Sequence, residues 1–302
     1  MWQDRRILDL FGIEQPVLLA PMAGAAGSSL AMAVSAAGGL GAIPCAMLTP
    51  EQIRAELGIF RQRTGAPINL NFFSHRNPPL DETREAEWRT RLKPYYDEFG
   101  LDPETVPAGA GRNPFDEQSC IIVEEYRPEI VSFHFGLPEQ DLLQRVRETG
   151  AKIIASATTV AEARWLEERG CDAIIAQGAE AGGHRGIFLE NDVTTQPGTM
   201  ALVPQVVDAV SVPVIAAGGI ADGRGIAAAF MLGASAVQIG TAYLQCPEAL
   251  TSPLHRQALA NARDDRTVIT NIFTGRPARG IINRFIGELG PINKAAPDFP
   301  LA

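Results

Sequence analysis

Apolar residues along this chain fall in short continuous runs, separated by longer stretches with a helical spacing. The runs cover residues 17–22, 40–45, 68–73, 130–135, 152–157, 173–177, 213–217 and 236–244. Most are apolar throughout, not at alternate positions, which is the pattern of strands buried on both faces of a parallel sheet. Between them, residues 29–37, 50–63, 118–126, 138–148, 160–169, 200–210 and 223–232 read as helices. Eight strands, each but the last clearly followed by a helix, predict an α/β chain closed as a (β/α)8 TIM barrel, one domain over residues 1–302. An open doubly wound sheet is the alternative, and it usually carries fewer strands.

Two regions break the pattern. Residues 74–117 are polar, rich in Pro and Gly, and hold a predicted helix around 80–99. They read as an insertion after the third strand and a candidate lid; the charge run 81–91 reads as a solvated helix face. Residues 264–302 follow the eighth unit as a short C-terminal extension.

Composition narrows the classes. With 302 residues, 46% of them hydrophobic, the core is large enough to need no staple. A net charge of -9 argues against nucleic acid, whose phosphates call for clustered Lys and Arg. Cys45, Cys120, Cys171 and Cys246 are scattered without a C-x-x-C pair, so neither a disulfide framework nor a zinc site is expected. The N-terminus leads into no apolar signal core, and no apolar run reaches the roughly 18 to 20 residues of a membrane span. The expected setting is cytoplasmic, with no membrane or metal.

In such a barrel the chemistry sits at the C-terminal ends of the strands. Gly218-Gly219 ends the seventh strand before a helix, and Gly240-Thr241 ends the eighth. Paired glycine turns on adjacent strands suit a phosphate, although tight turns without a ligand look the same. Asn71, Gln177 and Gln238 are amides near ends of otherwise apolar strands, and each needs a partner, whether a ligand or a backbone loop. His184 lies in a glycine-rich loop, Gly182-Gly183-His184-Arg185-Gly186, which presents a side chain better than it packs one. A histidine there can act as acid, base or cationic clamp. His134, at the end of the fourth strand, is a satisfied core residue or faces the mouth. His75 follows the third strand within reach of it, and His255 reads as a helix-surface residue. The segment Arg276-Pro277-Ala278-Arg279-Gly280 reads as a structural loop in preference to part of the site rim.

Taken together, the motifs resemble one family. Ala20-Pro21-Met22-Ala23-Gly24, Ala37-Gly38-Gly39-Leu40-Gly41, Asn71-Phe72-Phe73, Ser132–Pro138, Ala176–Gly186, Ala216–Gly225, Gln238–Leu244 and Phe273–Gly280 are similar to segments of nitronate monooxygenases, formerly 2-nitropropane dioxygenases. The likeness covers nearly the whole chain. Its most specific part, Glu-Ala-Gly-Gly-His-Arg-Gly, is shared in looser form with flavin-dependent enoyl reductases. The resemblance implies FMN bound without a covalent link, with contacts at Asn71, Gln177, Gly182, Gly219, Gln238, Ile239, Gly240 and Thr241, and Met22 and Ala23 lining the ring. Gly218 joins them as part of the glycine turn. The family's catalytic histidine matches His184, and His134 and His75 are candidates for the substrate pocket. Family members commonly continue some tens of residues past position 302. The implied reaction takes an alkyl nitronate, such as propionate 3-nitronate, or a nitroalkane, and molecular oxygen, to a carbonyl compound and nitrite. The rivals are an NADH:quinone reductase, an FMN-dependent enoyl-thioester reductase and a cofactor-free barrel lyase or isomerase of a phosphorylated metabolite; a homodimer is left open.

Overall fold

Eleven strands organise the computed structural model, which describes residues 2, 4–102 and 112–302. They are β1 (Val17–Leu19), β2 (Gly41–Pro44), β3 (Ile68–Phe73), β4 (Ile130–His134), β5 (Lys152–Ala157), β6 (Ala173–Gln177), β7 (Gly183–His184), β8 (Val214–Ala217), β9 (Ala236–Ile239), β10 (Thr267–Thr270) and β11 (Ala278–Ile281). Eight of them pair in parallel in the order β1-β9-β8-β6-β5-β4-β3-β2. A parallel bridge between Leu18 and Leu40 joins the two ends, with Leu19 N donating to Leu40 O at 2.9 Å. The strands therefore close into the expected barrel.

Helices follow the strands as predicted, and their starts have local causes. Thr49 accepts from Gln52 N while Gln52 caps Thr49 N, with Pro50 at the first position, so α3 (Pro50–Arg63) begins there. Asp116 and Thr159 cap α5 (Glu117–Tyr126) and α7 (Val160–Glu168) by accepting from Ser119 N and Glu162 N. Outward strand residues such as Leu70, Phe133, Ile174 and Val237 pack against this helical layer. Inward ones, Leu18, Leu40, Ile130, Ile154, Ile175 and Ile215, fill the barrel floor together with Ile7, Leu8 and Phe11 of α1 (Arg6–Phe11). That short helix escaped the sequence reading because six residues are too few to show a period.

Two further differences bear on the site. The last barrel strand was expected over 236–244 but stops at Ile239; Gly240 breaks it, and Thr241–Gln245 form a 3-10 turn. The C-terminal extension is folded, not appended. β10 and β11 pair antiparallel, and β11 takes β7 as its other neighbour, with Ala278 opposite His184 and Arg279 opposite Gly183. Strands this short, whose partners lie nearly a hundred residues away, leave no local signature.

The remaining C-terminal residues lock onto the insertion. Ile286 of α11 (Arg284–Leu289), Ile272, Ala295 and Ala296 cluster with Trp88 of α4 (Glu82–Phe99). Arg84 Nη1 binds Asp298 at 2.9 Å. The tail then crosses the barrel mouth over Gly275, whose φ of +83° and bare Cα allow it: a Cβ there would stand 2.2 Å from Pro297 O. Residues 103–111, part of the expected lid, lie outside the described residues. Among the described residues no helix is long and apolar enough to cross a membrane.

Candidate functional site

Four strand-end loops converge at the mouth. A Cβ on Gly182 would stand 2.8 Å from Thr241 Oγ1, one on Gly240 would stand 3.5 Å from Met22 Sδ, and one on Gly219 would stand 3.2 Å from Glu180 Cβ. Gly218 and Gly219 have φ of +118° and +68°, a turn that side chains would strain. The backbone N–H groups of Met22, Ala23, Gly182, Gly219, Gly240 and Thr241 donate to no backbone acceptor in the described residues. A helix that follows such a turn can lend its own N-terminus to an anion. Instead Asp222 caps α9 (Gly223–Met231), accepting from Arg224 N and Gly225 N, so the open donors are those of the glycine turns. Ile239 is buried beside them.

The amides divide by use. Gln238 Oε1 is buried with no partner and lies at the end of β9, where an incoming N–H could satisfy it. Asn71 Nδ2 donates to Ser132 Oγ at 2.9 Å and more weakly to Ser132 O. Gln177 is fully engaged by the His184 loop: its Nε2 donates to His184 O at 3.0 Å and its Oε1 accepts Gly186 N at 2.7 Å.

His184 itself stands half-buried at the edge of β7. Its ring packs edge-on against Phe73, Phe135 and Phe299, with centroids 6.2, 5.9 and 5.3 Å away. Its Nε2 lies 2.8 Å from Thr274 Oγ1. Arg276 stacks its guanidinium 3.9 Å from the centre of Phe135 and donates to Ile187 O, while its Nε has no partner. The placement is a mixture of the two readings of that segment: Arg279 is tied to Ala179 O and Thr267, whereas Arg276 borders the histidines.

His134 differs from its expected place in the substrate pocket. Its Nδ1 meets Ser156 Oγ of β5 at 3.1 Å and its Nε2 meets His184 O at 3.2 Å, so one nitrogen serves the barrel and the other the loop. His75, only 6% exposed, packs 4.7 Å from the Phe299 ring, and neither of its nitrogens has a well-formed hydrogen bond. His255 is exposed on α10 (Pro253–Ala260), as expected.

Burial sets the charge state. It holds His184 down to about 3, helped by Arg112 and Arg276; His134 to about 3, helped by His184 and Arg276; and His75 to about 4, helped by Arg276. All three rings are neutral near pH 7. The charges that act most on His184, Arg112 and Arg276, are cationic. In the unfolded chain these rings take up protons near pH 6.5, but in the fold only below about 4. The unfolded chain therefore binds more protons in between, and stability must fall as pH drops through that window. Thermal melts at pH 7, 5.5 and 4.5 should show a falling midpoint, and His75→Phe should flatten the fall. A midpoint that does not move would mean the rings are not buried as neutral groups.

A sequence model of the nitronate monooxygenases matches residues 4–301. The chain belongs to the nitronate monooxygenase family. It is 43% identical to the nitronate monooxygenase of Pseudomonas aeruginosa over 98% of this chain and 85% of the relative. It is 39% identical to a probable nitronate monooxygenase of Staphylococcus saprophyticus over 98% and 83%. Among solved structures, nitroalkane oxidase from Streptomyces ansochromogenes superposes with a TM-score of 0.86 at 36% identity, covering 97% of this chain and 82% of that one. FabK from Thermotoga maritima superposes less closely, at 0.73 and 33% identity over 94% and 76%.

Within this family framework, three residues stand at the histidine that the sequence gave no role. Thr274 lies in the Phe273–Gly280 motif but nothing local marks its hydroxyl. Phe135 and Phe299 read as ordinary apolar residues until the tail is folded back. Only pairing between distant segments brings them together.

Proposed function

We propose that this chain oxidises alkyl nitronates with molecular oxygen, using FMN held in the barrel mouth and His184 as the group facing the substrate. The observation that carries this reading is the neutral imidazole at the mouth, on which the cationic Arg112 and Arg276 are the charges that act most. Such a site attracts a planar anion and offers it a nitrogen that can hold a proton.

The residues present fit the cofactor. The unpaired Gln238 Oε1 suits a ring N–H, and the open donors of Gly219, Gly240 and Thr241, beside the turn at Gly218, suit a phosphate. Met22 and Ala23 border the same space, and the close spacing of Gly182 to Thr241 admits backbone but no side chain. When bound, FMN supplies the electron transfer to oxygen. This chain's residues bind, orient and exclude water. Gln177 and His134 hold the backbone of His184, while Phe73, Phe135 and Phe299 dry its ring. Asn71 is held by Ser132 at the same rim. The buried free thiols agree with a cytoplasmic setting.

The test is oxygen uptake by the purified yellow protein with propionate 3-nitronate, beside anaerobic mixing with NADH. Nitronate-dependent uptake with formation of nitrite, and a flavin that NADH does not bleach, is the expected result. Rapid bleaching by NADH with no nitronate turnover would favour a reductase instead.

A further inference from the structure

His184 has two ring nitrogens with unlike surroundings. Nε2 is 2.8 Å from Thr274 Oγ1. Nδ1 has no hydrogen-bond partner in the described residues, yet it is absent from the buried unpaired atoms, unlike both nitrogens of His75. Among the described residues it is the ring nitrogen without a partner. A neutral imidazole donates through one nitrogen and accepts through the other, so its tautomer is set by whatever fixes one of them.

Thr274 can fix it. The side chain is 7% exposed and branched at Cβ, which restricts its rotation. Its hydroxyl also lies 3.4 Å from Arg276 O, an acceptor that takes the hydroxyl proton. One arrangement uses every group: Nε2–H donates to Oγ1, and Oγ1–H donates to the carbonyl. The opposite arrangement would turn the hydroxyl toward Nε2 and strip the carbonyl of its donor. Gln177 and His134 hold the His184 carbonyl from the barrel side, so the ring cannot drift from Thr274.

We propose that Thr274 is a positioning residue: it holds the Nε2–H tautomer of His184 and leaves Nδ1 as the nitrogen that takes a proton opposite the substrate. The proposal rests on the functional reading above for the identity of the substrate. When a nitronate enters, a solvent proton binds Nδ1, and the resulting imidazolium faces the anion. When a neutral nitroalkane enters, its α C–H bond breaks, the proton moves to Nδ1 and the electron pair stays on the substrate as the nitronate. In both cases the charged ring keeps Thr274 as acceptor for Nε2–H. The charged and titratable groups around the ring are Arg276 on the β10–β11 loop, Arg112 ahead of α5, His75 after β3 and His134 on β4. None is a carboxylate, so the hydroxyl is the group that favours the charged ring.

The experiment compares the wild type with Thr274→Val, which keeps shape, and Thr274→Ser, which keeps the hydroxyl. Nitronate kcat/KM is followed against pH, and nitrogen-15 spectra of labelled histidine report the tautomer. The wild type should show Nε2–H, with kcat/KM falling as pH rises. Thr274→Val should shift that fall about one unit lower, about tenfold in proton affinity, and mix the tautomers. Thr274→Ser should restore both. A wild-type ring protonated at Nδ1, or a pH profile unmoved in Thr274→Val, overturns the proposal. If the wild type oxidises no nitronate, the functional reading fails, and the spectra alone still decide the tautomer.

Discussion

Changing His184 to Asn is expected to lower kcat for nitronate oxidation by about 10²–10⁴-fold while the protein stays yellow. Asparagine is smaller and polar and fits among Phe73, Phe135 and Phe299, so the fold has little to lose even though its amide falls short of Thr274. It cannot take a proton. Apart from Gly182, whose backbone the change leaves in place, the proposed cofactor contacts lie on other strand ends, at Gly218-Gly219, Gln238 and Gly240-Thr241, so flavin retention should not change. Flavin absorbance and steady-state oxygen uptake separate the two effects. Undiminished turnover in a flavin-loaded variant would remove His184 from the chemistry.

The neighbouring residue predicts the largest loss of stability. Arg185 shares the glycine-rich loop but points inward and is 0% exposed. Its guanidinium donates to Gly178 O at 2.6 Å, to Gln177 O at 2.8 Å and to Gln196 Oε1 at 2.8 Å. It ties the end of β6 to the loop that carries His184, while its own N–H joins Pro277 O at 2.8 Å. Methionine would fill similar space, strip the buried Gln177 O and the half-buried Gln196 Oε1 of the guanidinium, and leave Gly178 O with Ala181 N alone. The expected cost is about 3–5 kcal/mol, read from the urea midpoint of Arg185→Met at constant m-value. A loss below about 1 kcal/mol would mean that water replaces the guanidinium.

These two residues show where a sequence can and cannot be read. The barrel was legible because its strands are buried on both faces and helices such as α3, α5 and α7 have local caps. The glycine turns were legible for the same reason: a pair such as Gly218-Gly219 announces its backbone conformation without its neighbours. His184 stood out through the glycines around it. Which way Gln177, His134 and Arg276 act was not legible, because each depends on a loop that returns from elsewhere. Gln177 read as an amide needing either a ligand or a backbone loop, and it holds a loop. His134 read as either a satisfied core residue or a mouth residue, and its Nε2 serves the backbone of His184. Arg276 read as structural and borders the histidines. Thr274 and Phe299 meet His184 only after β11 has paired with β7 and the tail has crossed Gly275.

The crossing tail also decides where this polypeptide can be extended. Any peptide joined after Ala302 begins three residues from the Phe299 ring that packs on His184. A linker or affinity handle fused there would start from the cluster around Trp88 and Ile286, on which Ala302 packs, and would pull on the segment that covers His184. At the other end, α1 closes the opposite face of the barrel, so a handle fused ahead of Trp2 would hang clear of that segment.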